Sequence, residues 1–307
     1  MAEPAVSQVG AVVVAYDAGD HLLACVDSLA GQVDEVVVVD NASTDGSAEA
    51  LARQRPGVRL VALGANLGYG AAANWGVAET ASPLVLVCNP DVVVSNGAVR
   101  RLADQMGADP GLGVVGPRIL NPDGSTYPSA RRFPSLLEAA GHGFLGLLSP
   151  SNPFSRRYRM LDWERLCYRE VDWVSGACLM ARRQAWDQVG GFDPRYFMYL
   201  EDVDLCWRLR QRGWRVAYQP EAEVVHHQGA SARARPYRMV LAHHRSMARF
   251  AAATARGPRR LLLPAVEAGV ALRATLALAR VALSRGSVPR PGSDAATRVR
   301  EGARPAM

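Results

Sequence analysis

Three carboxylates crowd into four positions at Glu201-Asp202-Val203-Asp204, directly after the hydrophobic stretch 196–200. Like charges that close raise the pKa of at least one member, and a carboxylate so raised suits a general base. A helix amino terminus at this point opposes that rise. Helix capping by Asp202, with Asp204 as a first-turn acid, accounts for two of the three and leaves Glu201 unexplained. Asn89-Pro90-Asp91 sets a carboxylate beside a rigid residue, where it can hold a hard cation while phosphate oxygens complete the shell. The same tripeptide is also an ordinary turn. His226, in His226-His227-Gln228-Gly229-Ala230-Ser231, offers a neutral imidazole able to complete a metal shell, although a lone histidine after an apolar strand is more often structural. In Asp40-Asn41-Ala42-Ser43-Thr44-Asp45-Gly46 an acidic side chain can accept hydrogen bonds from a nucleobase or ribose, and equally the segment can be a self-capped turn. Asn66-Leu67-Gly68-Tyr69-Gly70, followed by small residues up to Asn74, lets backbone approach a ligand at a helix amino terminus, which favours anions. A literal G-x-G-x-x-A runs from Gly68 to Ala73, but the dinucleotide fingerprint belongs after the first strand, where this chain has Tyr16-Asp17-Ala18-Gly19-Asp20.

These residues need a frame that brings them together. The valine-rich runs 9–15, 36–39, 58–63 and 84–87 read as buried strands. Helical spacing occupies 20–30, through Leu22, Leu23, Val26 and Leu29, then a short stretch around Ala48 and Leu51, then 71–78. Continuous apolar strands alternating with helices predict a parallel α/β sheet covered on both faces. In such sheets the site lies beyond the carboxyl ends of the strands. Tyr16 and Asp17, Asp40 and Asn41, Asn66 and Gly68, and Asn89 and Asp91 all fall there.

Residues 117–170 lack periodicity and predict a long excursion over the sheet, on the acceptor side. The run 171–180 is strand-like. A helix over 203–212 fits a cap at Asp202, Arg208, Arg210 and Arg212 in the last turns, and Gly213 just past the end. Short strands are expected at 214–218 and 222–225, and a helix at 237–251 carrying His243, His244 and Arg245. Residues 261–283 are apolar but interrupted by Pro264, Glu267, Arg273 and Arg280. Three charges suit an interfacial amphipathic helix, or a helix docked on the rest of the chain, better than a membrane span. The stretch 286–307 reads as disordered.

The chain has 307 residues, 49% hydrophobic, enough for one large core plus an extension. MAEPAVSQVG has no basic segment leading into an apolar run and does not read as a secretory signal. Cys25, Cys88, Cys167, Cys178 and Cys206 are scattered, form no C-x-x-C pair and read as reduced thiols in the cytosol. Lysine is absent. Residues 1–231 carry 20 Arg against 26 acids, a net −6, whereas residues 232–307 carry 15 Arg against 3 acids, a net +12. The basic excess therefore sits in the last quarter, which suits an anionic surface such as a membrane. No aromatic-interleaved basic motif supports nucleic acid.

The order and spacing of VVDNASTDGS, NLGYGAAANWG, NPD, GGFDPRYFMYLEDVDLCWRLRQRGW and HHQGAS resemble the family 2 glycosyltransferases over about residues 8–232. Within that family they look closest to the bacterial rhamnosyltransferase-like branch. The resemblance implies a GT-A fold: α/β, Rossmann-like, with a mostly parallel central sheet flanked by helices. To this the chain adds a helical carboxyl-terminal extension. The expected divisions are a catalytic domain at 1–232, a basic helical extension at 233–285 and a tail at 286–307. The resemblance further implies an inverting single displacement from a nucleotide-diphosphate sugar onto a glycan or lipid-linked acceptor at the inner membrane surface. Asp40 would contact the nucleobase. Tyr16, Asn66, Gly68, Asn74 and Asn89 would line the donor pocket. Asp91, with His226, would bind Mg²⁺ or Mn²⁺. Asp202 would be the base, with Glu201 beside it. Asn89 stands where many relatives have an acid, which leaves the cation fewer protein charges. The branch commonly uses dTDP-L-rhamnose and a polyprenyl-diphosphate-linked sugar.

Rival readings are a sugar nucleotidyltransferase, which would need a basic glycine-rich loop after the first strand; an NAD(P) oxidoreductase; a glycosyltransferase with a UDP-sugar; and a non-catalytic nucleotide-sugar or glycan binder.

Overall fold

A computed structural model describes residues 8–146, 149, 151–227 and 235–286 of the chain. The expectations for residues 1–7, for Gln228 to Ser231 and for the tail from 287 onward lie outside the described residues, as does the division at 232.

The runs 9–15, 36–39 and 84–87 become strands because both of their faces are covered, whereas the run 58–63, also expected to be buried, forms an edge strand (Arg59–Ala62) with no buried residue. In β1 (Val9–Ala15), Val12 and Val14 join one packed cluster while Ala11 and Val13 join the other. The chain continues through α1 (His21–Leu29), β2 (Glu35–Asp40), α2 (Ser47–Gln54), β3 (Arg59–Ala62), α3 (Tyr69–Ala78), β4 (Leu84–Cys88), β5 (Val92–Val94), α4 (Ala98–Ala108) and β6 (Leu112–Leu120). Next come β7 (Ala130–Arg131), α5 (Leu136–Leu145), α6 (Pro153–Tyr158), β8 (Arg169–Glu170), β9 (Trp173–Val174), β10 (Cys178–Arg182), α7 (Arg183–Val189), α8 (Glu201–Gln211) and β11 (Arg215–His226). The extension holds α9 (Pro236–Thr254), a 3-10 turn (Gly257–Leu262) and α10 (Leu263–Gly286).

The main sheet has the order β3-β2-β1-β4-β10-β6-β11-β5, with β8 added beside β11. Strands β3, β2, β1, β4, β6 and β11 run one way; β10, β5 and β8 run against them. The expected parallel sheet is thus a mixed one, mostly parallel, because β10 inserts antiparallel between β4 and β6. The carboxyl ends of β1, β2, β4 and β11 share one edge, and β10 begins there.

Three readings of the sequence are corrected. The excursion 117–170 contains the end of β6, β7 and two helices, α5 and α6. Helix α5 starts at a capping box: Ser135 accepts from the Glu138 amide and Glu138 accepts from the Ser135 amide. The run 171–180 is broken into β9 and β10 by Ser175 to Ala177. The two short strands at 214–218 and 222–225 are one strand, β11, in which Gln219 opposes Pro117 but Glu223 opposes the next residue, Arg118. The extra residues form a bulge that bends the strand.

Helix α3 presses on the sheet through Gly76, where a Cβ would lie 2.3 Å from Val12 Cγ1. The small residues of this stretch therefore serve helix–sheet packing. The extension is docked rather than free. Ser246 of α9 donates to Met198 O at 3.0 Å, and Phe250 packs edge-on against Trp207 of α8.

Candidate active site

An open cavity of about 380 Å³ lies at the carboxyl edge of the sheet, a volume within the range of small-ligand sites. Tyr16 follows β1 into it. Asn41, Asn66 and Gly68 line the next side, then Asn89, Pro90, Asp91 and His226, with Ser175, Tyr127 and the 197–199 loop opposite.

Asn41 organises the donor-side wall. Its Nδ2 donates to Asn66 Oδ1 (3.2 Å) and Gly68 O (3.3 Å), and its Oδ1 accepts from the Leu67 amide at 2.8 Å. Gly68 has φ +88, and a Cβ there would lie 2.3 Å from Phe197 O, so glycine is required by the backbone of the opposite loop. Asp40 ends β2, is buried, and accepts from the Ser43 amide at 3.0 Å. It closes its own turn beneath the wall and is not among the lining residues. Asn74 is also off the cavity. Its amide donates to Phe192 O (2.7 Å) and accepts from the Phe192 amide (2.9 Å), which ties α3 to the loop before α8.

The bulge in β11 delivers His226 to the Asn89-Pro90-Asp91 corner, where His226 pairs with Val92 in the β5–β11 register. His226 Nε2 lies 3.0 Å from Asp91 Oδ1 and 3.3 Å from Asn89 Nδ2. The Asp91 backbone carbonyl accepts from the His227 amide at 2.9 Å, fixing the corner. One imidazole nitrogen cannot both accept from the Asn89 amide and donate to the Asp91 carboxylate. With Nε2 unprotonated, its lone pair and the carboxylate share one small polar space, and a divalent cation that took the place of the Asn89 contact would find both as donors. The 3.0 Å separation equals that of adjacent ligands in an octahedral shell with bonds of about 2.1 Å. Among the described residues no cluster of three or more such side chains occurs, so a cation here would draw further ligands from phosphate oxygens.

The three clustered carboxylates of the sequence have three different fates. Asp204 pairs with Arg208 (Oδ2 to Nε, 2.6 Å) and accepts from Tyr196 OH at 3.4 Å, so it is structural. Asp202 does not cap α8: the N-cap is Leu200, without a side-chain cap. Asp202 instead accepts from the Gly176 amide (Oδ2, 2.8 Å) and the Val203 amide (Oδ1, 2.8 Å). Burial pushes its pKa up, and those two N–H groups and the Arg131 guanidinium work against the rise. Glu201 is 6% exposed, and its Oε2 has no partner among the described residues. Burial and then the charge of Asp202 push its pKa well above the ordinary value, which favours its protonated form. Neither Asp202 nor Glu201 is on the cavity lining. Asp202 stands behind Ser175 and Gly176, and the neighbouring Tyr69, which donates to Gly176 O at 2.6 Å, does reach the cavity. Helix α8 starts after two residues in the left-handed region, Tyr199 (φ 68) and Leu200 (φ 64), a strained pair that turns its first carboxylates inward.

Sequence reasoning placed Asn41 at a strand end beside Asp40 but gave it no role, and it passed over Ser175, Tyr127 and Arg131. Nothing local marks Arg131, yet its guanidinium sits 5.0 Å from the Trp173 ring centre and 5.4 Å from that of Tyr158, close enough to Asp202 to favour its ionised form.

The sequence profile of glycosyl transferase family 2 matches residues 11–189, ending before Asp202 and His226. An N-acetylglucosaminyl-diphospho-decaprenol L-rhamnosyltransferase of Mycobacterium tuberculosis is 44% identical over 251 residues, 76% of this chain and 81% of that protein. An O-antigen biosynthesis protein of Myxococcus xanthus is 34% identical over 236 residues, 74% of this chain but 18% of its own length. Among solved structures, a mannosyltransferase of Pyrobaculum calidifontis in complex with GDP-Man and Mn²⁺ superposes with a TM-score of 0.55. It is 19% identical, over 92% of this chain and 76% of that one. That likeness carries the GT-A fold.

Proposed function

The chain belongs to glycosyl transferase family 2, and from that premise we propose that it moves L-rhamnose from dTDP-L-rhamnose onto a hydroxyl of a polyprenyl-diphosphate-linked sugar. The observation that carries the reading is the meeting of Asn89, Asp91 and His226 at the floor of a cavity whose wall is built by Asn41, Asn66 and Gly68. The sugar and acceptor follow those named for the Mycobacterium tuberculosis relative.

Tyr16, Asn41 and Asn66 take the nucleoside end of the donor, with Asp40 holding the turn beneath them. Asp91 and His226 would hold Mg²⁺ or Mn²⁺ against the diphosphate, and the bound cation would offset the charge that develops on the leaving group. Asp202, set behind Ser175 and Gly176, takes the proton of the acceptor hydroxyl through one intervening water as the hydroxyl oxygen attacks the anomeric carbon. The bond from that carbon to the diphosphate oxygen breaks on the opposite face, and configuration inverts. The raised pKa of Asp202 matches it to that proton transfer, while Gly176 and Val203 keep it oriented. Burial and the charge of Asp202 disfavour a second negative charge on Glu201 beside the base.

Contact of the carboxyl-terminal extension with the inner face of the membrane belongs to the same reading, because a polyprenyl acceptor is confined there. Residues 235–286 carry ten Arg and one acid, a charge suited to anionic headgroups.

Calorimetric titration of the purified chain with dTDP and with UDP, each with and without Mn²⁺, tests the site. Mn²⁺-dependent binding of dTDP is expected. Preference for UDP would favour a UDP-sugar donor, and failure of both nucleotides to bind would overturn the reading.

A further inference from the structure

Helix α10 departs from the pattern of a surface helix. Leu263, Val266, Val270, Ala277 and Val281 face the protein and are half-buried. The opposite face of such a helix should be polar. Here Ala265, Ala268, Leu272, Leu276, Ala279 and Leu283 follow one another at helical spacing on the outer side. Leu272 is 55% exposed, Leu276 42% and Leu283 76%. From Ala265 to Leu283 this apolar stripe runs about 27 Å at 1.5 Å per residue, with Arg280 beside it rather than on it. An 18-residue stretch within Gly257–Leu283 reaches a mean hydropathy of 1.6, and the segment is long enough to cross a bilayer.

Its middle is held too firmly for that. Arg273 donates through Nε to Gly143 O (3.0 Å) and through Nη1 to His244 Nε2 (2.9 Å). His244 can accept because its Nδ1 donates to Val240 O at 2.7 Å. A spanning helix would break both bonds and carry the guanidinium into hydrocarbon. Arg273 thus clamps α10 against α5 and α9, and Phe144 packs on Gly269 beside the clamp. A second copy of the chain suits the stripe poorly, since ten Arg and one acid on each 235–286 segment would face each other across such an interface. The exposed Arg256, Arg259 and Arg260 at the start of the helix fit anionic headgroups instead.

We propose that α10 lies flat at the headgroup boundary of an anionic bilayer, with Leu272, Leu276 and Leu283 in the lipid and Arg273 holding the helix to the catalytic part. This rests on the lipid-linked acceptor of the preceding reading and adds how the site meets its substrate. His244 and Arg273 stand ten residues from Thr254 and Leu263 respectively, so α10 runs back antiparallel to α9. Its far end returns to the level of α9's first turn, where Arg235, Arg238 and Met239 line the cavity. The lipid-facing helix therefore ends beside the mouth of the site.

The test uses the full chain and phosphatidylcholine vesicles, either pure or containing roughly one third phosphatidylglycerol. The chain should float with the anionic vesicles. The triple variant Leu272→Ser, Leu276→Ser, Leu283→Ser should lose about tenfold or more of that partitioning while keeping Mn²⁺-dependent dTDP binding. In Leu276→Trp, emission should shift blue on binding and be quenched by nitroxides near the headgroups more than by nitroxides deep in the chains. Deep quenching together with resistance to alkaline extraction would overturn the proposal in favour of a span. So would an unchanged triple variant, or a wild-type dimer in sedimentation that the triple variant abolishes. Vesicle binding without any nucleotide binding would instead strike the transferase reading and leave this one standing.

Discussion

Asp202 owes its position to two backbone amides, Gly176 and Val203, so a substitution there tests chemistry with little change of shape. Asp202→Asn should lower turnover by about 10²–10⁴ and leave dTDP affinity, read by calorimetry, near that of wild type. The pH dependence has a definite sign. Burial raises the Asp202 pKa, so the active, ionised form is lost as pH falls through a value above the usual aspartate range. Arg131 favours the ionised form, and Arg131→Met should move the acid limb of the rate profile to higher pH, where a merely structural loss would lower the rate at every pH. Glu201 has the opposite consequence for stability. Its folded-state pKa is raised, so the contribution is present at low pH and is lost as pH rises through the folded value. Glu201→Gln should therefore melt closer to, or above, wild type as the pH of the melt is raised. At the floor of the cavity, Asp91→Ala and His226→Ala should each weaken Mn²⁺-dependent dTDP binding by about tenfold or more, with metal-free binding little changed.

The elements explain which of these residues could be read in advance. β1, β2 and β4 were legible because burial on both faces leaves an uninterrupted valine run, and their carboxyl ends pointed to Tyr16, Asp40, Asn89 and Asp91. β5, α4 and most of β6 went unassigned, and the orientation of β10 was beyond reach because pairing with β4 and β6 is set across the sheet, not along the chain. β11 was split in two because Gln219 to Ala222 bulge out of register, and that bulge brings His226 to Asp91. The three acids at 201–204 were seen, but their separation depends on the strained Tyr199–Leu200 turn, which no local signal announced. Gly68 reports on that turn: its missing Cβ is the space that Phe197 O occupies, and Tyr69 N donates to the same carbonyl at 3.0 Å. Gly68→Ala must displace the 197–200 loop as well as adopt φ +88. Urea unfolding should show a loss of about 2–4 kcal/mol, and turnover should fall with it because Asp202 follows the loop.

At the scale of the whole molecule the charge is divided: residues 1–231 carry −6 and residues 232–307 carry +12. A uniformly basic protein would meet an anionic surface in many orientations. At an anionic bilayer the acidic part would be repelled while the extension is attracted, so the same field that draws the chain down would also turn it, with α10 toward the bilayer. Two forces of different range then act in turn. Electrostatic attraction is screened within about 10 Å at 0.1 M salt and about 4 Å at 0.5 M, whereas burial of the leucine stripe is insensitive to salt. Raising NaCl from about 0.05 M to about 0.5 M should therefore weaken association with anionic vesicles about tenfold and leave a residual binding. That residue should vanish in the Leu272, Leu276, Leu283 triple serine variant. Binding to pure phosphatidylcholine should match the high-salt residue and show no salt dependence. Association that disappears completely at high salt in the wild type would mean that the leucines stay out of the lipid and that the arginines alone hold the chain to the surface.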